Sequence, residues 1–243
     1  MSDYRMKLYS RYISKFKGID SHLNDNSLIP YYDWYKLNIS SSLNDLSFNS
    51  KILELGCGPG YLIKYLNKNK FTDVMGIDIS DEQIELANKR VCNAKVADVF
   101  EFLKNKNNVF DSIIAIDFIE HFHKEELFQL TNLIFNSLKQ NGRLILKTPN
   151  GQGLFHRQII YGDLTHLTIF TPSSLRQLLK ISGFENIQFK ESDLVRRTRG
   201  KLLWKFVKLV ANTIRRIESG KSQTIWTENM ICCCEKLNPR IPM

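Results

Sequence analysis

Long apolar runs are missing from this chain. The longest unbroken stretch of apolar side chains is five residues, Met230 to Cys234, far short of the roughly 20 that a membrane-spanning helix needs. The opening residues, MSDYRMKLYSRY, lack the apolar centre of a secretory signal, and the expectation is a cytoplasmic chain. Cysteine is sparse and poorly spaced for cross-links. Cys57, Cys92 and the consecutive Cys232, Cys233 and Cys234 make neither an even framework nor a Cys-x-x-Cys pair, which reads as reduced thiols. Acid is also in deficit, 25 Asp and Glu against 34 Lys and Arg, for a formal charge of +9. The deficit is local. Between Val195 and Lys221 nine basic residues meet one acid, Glu218, a surplus of +8, while the rest of the chain balances to +1. A nucleic-acid groove spread over the whole body is thereby disfavoured, because such grooves need distributed basic charge.

With 43% hydrophobic and 24% charged residues in 243, the composition suits a soluble globular fold of one domain with appendages and excludes a disordered or fibrous chain. Strand and helix signals alternate through the middle. Short apolar runs at 51–56, 73–78, 94–98, 110–117 and 142–148 predict strands; between them, 59–69, the segment after Ser80 and 124–139 predict helices. This rhythm is that of βαβ units and a mostly parallel sheet. The connection 149–170 is long enough to suggest an active-site loop. A helix over 172–182 and strands over 184–190 and 228–236 follow. Residues 1–46 read as an N-terminal helical cap, and 47–243 as the α/β domain. Aromatics crowd the cap: Tyr4, Tyr9, Tyr12, Tyr31, Tyr32, Trp34 and Tyr35 either form a lid or cover the core.

The first strand runs into Glu54-Leu-Gly56-Cys57-Gly58-Pro-Gly60. Glycine is needed where backbone turns sharply and a ligand approaches it closely. The dinucleotide pattern G-x-G-x-x-G fails in both frames, since its third glycine falls on Tyr61 or on Ile63, and no Gly-Lys-Ser/Thr completes a phosphate loop. Asp78 ends the second strand, where a carboxylate can accept from both ribose hydroxyls. Asp98 ends the third, where it can accept from an adenine amino group. Alternatively, both acids only cap helices.

Taken in order, ELGCGPG, GIDIS, VADV and FDSIIAIDFIEHF resemble the class I S-adenosylmethionine-dependent methyltransferases over roughly residues 45 to 190. The resemblance implies a Rossmann-like seven-stranded sheet, helices on both faces, whose last strand is antiparallel. It implies that Gly56, Gly58 and Gly60 cradle the methionine part of S-adenosylmethionine, that Glu54 shapes the loop, and that Asp78 and Asp98 hold ribose and adenine. Cys57, Ile79, Val99 and Asp117 join them in the cofactor crevice.

Asp117, Glu120 and His121 are spaced i, i+3, i+4 and would share one face of a helical turn. Downstream lie His156, Asp163 and His166. Asp117, Glu120, His121 and His166 could bind a divalent cation such as Mg2+, which would lower the pKa of an acceptor hydroxyl. Equally, His166 or His121 could serve as a metal-free general base. The spacing resembles the ubiquinone-biosynthesis O-methyltransferases and the small-RNA 2′-O-methyltransferases, which carry Glu where this chain has Asp117. The segment from Thr148 to Phe184, with Asp163-Leu-Thr165-His166 at its centre, also resembles methyltransferases of bacterial surface-carbohydrate synthesis. Together these imply O-methylation of a small-molecule, sugar or membrane-associated acceptor. The competing reading is a non-catalytic cofactor-binding or regulatory protein that uses its basic helix on membrane or nucleic acid.

That helix is expected over 200–219. Lys201, Lys205, Lys208, Asn212, Arg215, Arg216 and Ser219 fall in one arc of about 100°, and apolar residues fill the rest. Its apolar face meets the inner membrane surface, a second copy of the chain in a homodimer, or its own sheet. Nucleic acid is disfavoured, because no stacking aromatics alternate with the charges.

Overall fold

The computed structural model describes residues 25–90, 92–193 and 198–237. Seven strands form one sheet: β1 (Lys51–Leu55), β2 (Asp73–Asp78), β3 (Ala94–Val96), β4 (Phe110–Ile116), β5 (Leu138–Pro149), β6 (Glu185–Glu191) and β7 (Asn229–Glu235). Their order is β3-β2-β1-β4-β5-β7-β6. β1 to β5 pair in parallel, and β7 runs antiparallel between β5 and β6. This is the sheet implied by the sequence resemblance.

Alternation along each strand builds two cores. Leu53, Ile113, Leu144, Met230, Cys232 and Cys234 bury on one face, and Ile52, Ile114, Ile145 and Ile231 on the other. Both sets are needed because helices cover both faces, which is why the central strands read as continuous apolar runs. On the first face lie α4 (Val99–Leu103), α5 (Lys124–Ser137) and α7 (Pro172–Ile181), through Leu103, Leu130, Ile134 and Leu175. On the second lie α1 (Ile29–Asn38), α2 (Tyr61–Lys68) and α3 (Asp81–Lys89), through Tyr35, Leu62, Leu66 and Ile84. Two helix starts are capped: Ser80 Oγ accepts from Gln83 N at the start of α3, and Thr171 with Ser174 forms a reciprocal cap around Pro172 at the start of α7.

The described part of the N-terminal segment belongs to the same core, since Tyr35, Ile39 and Leu43 pack with β1 and α2. Tyr31, Tyr32 and Tyr35 stack on Tyr61 and Tyr65 of α2; Tyr4, Tyr9 and Tyr12 lie outside the described residues. Two elements differ from expectation. β5 starts at Leu138, because α5 ends at Ser137 and Leu138 already pairs with Phe110 before an irregular turn at Asn141 and Gly142. The 149–170 connection contains a short helix, α6 (Arg157–Tyr161). The basic helix α8 spans Thr198–Ser219.

Candidate active site

The chain crosses from one side of the sheet to the other between β1 and β4. Splayed loops at such a switch open a crevice beyond the strands' carboxyl ends. Here the crevice is a cleft of about 660 Å3, within the usual size of small-molecule sites.

The glycine loop forms one wall. Gly56, Gly58 and Gly60 have φ of 66°, 51° and 77°, a left-handed conformation that side chains rarely adopt. Space adds a second demand: a Cβ on Gly56 would lie 2.6 Å from the Phe118 ring, and one on Gly60 would lie 2.8 Å from Cys92 Sγ. Asp78 ties the loop to β2. Its Oδ2 accepts from Gly58 N at 3.0 Å and its Oδ1 from Ser80 N at 2.9 Å. Each oxygen keeps a second lone pair for a ligand. Burial pushes the Asp78 carboxyl above its usual range, and these backbone donors pull it back. Asp98 does cap α4, but through Oδ1 alone, which accepts from Phe100 N and Glu101 N.

Of the expected cofactor residues, Gly56, Gly58, Asp78, Ile79, Asp98, Val99 and Asp117 line the cleft. Glu54, Cys57 and Gly60 are not in its lining. The buried Glu54 carboxyl accepts from the Ile63 backbone and so joins β1 to the start of α2; burial, then the Asp78 charge, hold its pKa well above the ordinary value. Cys57 fills the space beside Gly76, where a Cβ would come within 2.5 Å of its own Cβ. Its thiol is pushed up by burial.

A second cluster follows β4. Asp117 adopts φ 50°, tolerable for Asp, and its carboxylate pairs with Lys147 Nζ at the end of β5. Beyond it the chain forms a single turn of 3-10 helix, Ile119–His121. The Glu120 carbonyl accepts from Leu167 N at 2.8 Å and Thr168 N at 3.0 Å, and Thr168 Oγ1 donates to Phe122 O. These bonds stitch the 149–170 loop against β4 and bring His166 beside His121, ring centroids 5.1 Å apart. One ligand atom from each of Glu120, His121 and His166 falls within 4.8 Å of the others. Asp117, the fourth expected metal ligand, stays with Lys147 and outside this group. His156 is also apart, its Nδ1 turned to Gly153 O.

The protonation pattern is set by burial. His121 Nδ1 lies 3.0 Å from Thr165 O and its Nε2 3.1 Å from Asp117 O; burial is the largest influence on the ring and lowers its pKa, while the Thr165 carbonyl raises it. His166 Nδ1 is buried with no hydrogen-bond partner among the described residues. Glu120 accepts from Thr148 Oγ1 through Oε2, and its carboxyl is pushed up to about 8 by burial and then by the charge of Asp117. An acid whose folded pKa exceeds its unfolded value of about 4.3 stabilises the fold fully below that lower value, and the contribution is lost as pH rises through the folded one. Glu120→Gln should therefore lose less stability than the unaltered protein between about pH 5 and about pH 8 in thermal melts. Parallel losses in the two proteins would show that Glu120 is not protonated in the fold.

Several cleft residues carried no sequence signal. Lys147, Gln83 and Asn229 all line it, and Gln83 Oε1 and Asn229 Oδ1 are buried without a partner among the described residues. Buried acceptors are nearly always satisfied, so a polar ligand would fit beside these two. Position beyond β2 and at the ends of β5 and β7 was the only available hint.

Comparison with known proteins agrees. Residues 32–189 match the family described as "Methyltransferase domain". The chain is 31% identical over 154 residues to the mitochondrial ubiquinone biosynthesis O-methyltransferase of Rattus norvegicus, covering 55% of this chain and 44% of that protein. It is 25% identical over 142 residues to the cyclopropane-fatty-acyl-phospholipid synthase of Escherichia coli K12, covering 58% of this chain and 37% of that one. It thus spans less than half the length of either relative. Among solved structures, a SAM-dependent methyltransferase from Archaeoglobus fulgidus superposes with a TM-score of 0.66 at 20% identity, covering 97% of this chain and 100% of that one. With its glycine loop, strand-end acids and 3-2-1-4-5-7-6 sheet, the chain belongs to the class I S-adenosylmethionine-dependent methyltransferase family.

Proposed function

We propose that the protein methylates a hydroxyl group, with His166 as general base. The observation that carries this reading is the place of His166 in the lining of the same cleft as Asp78, Asp98 and the glycine loop. The residues present fit S-adenosylmethionine: left-handed glycines, two strand-end carboxylates with spare lone pairs, and the unpaired acceptors of Gln83 and Asn229. When bound, that molecule supplies an electrophilic sulfonium methyl, which passes to the acceptor oxygen while the electron pair of the broken C–S bond stays on sulfur.

The chain's own groups do the rest. Gly56 and Gly58 let the backbone approach the ligand, and Asp78 and Asp98 orient it. His166 takes the hydroxyl proton. A hydroxyl, unlike an amine, gains much from a base because its lone pair is a poor nucleophile until the proton leaves. Likeness to the ubiquinone-biosynthesis enzyme supports the same acceptor class.

A second reading rests on the close approach of Glu120, His121 and His166. These three would hold a divalent ion that lowers the acceptor's pKa. Two imidazoles and a carboxylate suit Mn2+ or Zn2+ better than Mg2+, which prefers oxygen donors. One experiment separates the two. The protein is incubated with methyl-labelled S-adenosylmethionine and a panel of hydroxyl and amine acceptors, with and without a chelator. Transfer to a hydroxyl that survives chelation supports the base reading. Loss restored by added Mn2+ supports the metal, and transfer to amines alone contradicts both.

A further inference from the structure

Helix α8 has its apolar side outward. The half-buried positions Trp204, Val207, Lys208, Ala211, Asn212 and Arg215 turn toward the body, where Lys208 pairs with Glu191 at 2.7 Å and Asn212 accepts from Gln223 N. The opposite side exposes Leu202 (71%), Phe206 (62%), Leu209 (64%), Ile214 (61%) and Ile217 (83%), with Leu203 and Val210 between them. At 100° per residue these seven occupy one arc of about 140°, interrupted between Leu202 and Ile217 by Thr213 alone. Soluble proteins rarely leave so continuous an apolar patch open unless something covers it. Packing against its own sheet, one of the settings the sequence left open, does not cover this face.

Charge identifies the cover. Exposed Lys201, Lys205 and Arg216 line one edge of the apolar arc, in a segment with eight surplus positive charges on an otherwise near-neutral chain. A second copy would bring the same cations against each other, and Glu218 is the segment's one acid. An anionic bilayer offers what both features need: an apolar layer for Leu202, Phe206 and Ile217, and phosphates for the long basic side chains at its rim. The helix lies on a membrane rather than through it, since no described helix is long and apolar enough to cross. The active-site loop shares this exposure. It joins α8 through Gln223, which donates from Nε2 to Gln152 O, and it exposes Phe155 (69%), Tyr161 (78%) and Leu164 (84%).

We propose that the outer face of α8 docks the protein on the surface of an anionic lipid bilayer. This does not depend on the methyl acceptor. The test is cosedimentation of the full chain with phosphatidylcholine vesicles containing about 30% phosphatidylglycerol, and with vesicles of phosphatidylcholine alone. The unaltered protein should pellet with the anionic vesicles and remain largely in solution with the neutral ones. Each basic residue near such a surface strengthens partitioning about five-fold, so Lys201→Glu, Lys205→Glu and Arg216→Glu combined should weaken it at least about 100-fold. Leu202→Ser, Phe206→Ser and Leu209→Ser combined should abolish it. All six positions are exposed, and unchanged melting of both variants confirms that they fold. Equal pelleting of all three proteins, or none by the unaltered one, overturns the proposal. So does a dimer in sedimentation equilibrium that the serine variant converts to monomer, because a second copy would then be the cover.

Discussion

Replacing Asp78 with alanine is expected to lower affinity for S-adenosylhomocysteine at least about 100-fold. The change acts twice. It removes the cleft's acceptor at the end of β2, and it strands the N–H groups of Gly58 and Ser80 that the carboxylate now receives at 3.0 and 2.9 Å. Each stranded buried donor costs about 1–3 kcal/mol. The glycine loop, already in left-handed φ at three positions, then loses the side chain that ties it to β2. Asp78→Asn separates the two effects, since an amide oxygen can still accept one of the two bonds. It should bind better than the alanine variant and worse than the unaltered protein. Calorimetric titration reads all three. Equal affinity for alanine and aspartate would place the ribose elsewhere.

His166→Ala should lower kcat about 10²- to 10⁴-fold for any hydroxyl acceptor the protein methylates, and leave S-adenosylhomocysteine affinity within a few-fold. The split distinguishes a base from a structural residue. The loop around His166 is held by Leu167 N, Thr168 N and Thr168 Oγ1, none of which involves the imidazole. Truncating the ring therefore leaves the loop in place. His121→Ala is a different case, because His121 itself spans Thr165 O and Asp117 O, and loop position should suffer with it. Unchanged kcat in the His166 variant would remove the base assignment, while a loss in KM alone would make His166 a binding residue.

The sheet and the glycine-loop wall of the cleft were readable from sequence because their physics is local. A glycine at φ 51°–77° cannot be replaced cheaply, and a strand buried on both faces must be apolar throughout. Asp78 and Asp98 were readable because strand ends and helix caps coincide there. The second cluster was only half visible. Spacing put Asp117, Glu120 and His121 on one face of a turn, but the turn is tighter and begins at Ile119, and Lys147, 30 residues away, takes the Asp117 carboxylate. Nothing local to Asp117 signals that partner. His166 reaches the cluster through main-chain bonds to the Glu120 carbonyl, which side-chain identity does not encode. Periodicity likewise defined the two faces of α8 without saying which one the body would take. Lys208 and Asn212 decide it, through Glu191 and Gln223.

The cleft beside the glycine loop is expected to hold S-adenosylmethionine. Titration of the unaltered protein with S-adenosylhomocysteine in a calorimeter tests it most directly. One molecule per chain should bind with micromolar or tighter affinity, and the same titration of the Asp78→Ala protein should give an affinity lower by at least about 100-fold. An unaltered protein that is folded by its melting curve yet releases no heat, and gains no thermal stability at saturating ligand, would contradict the claim.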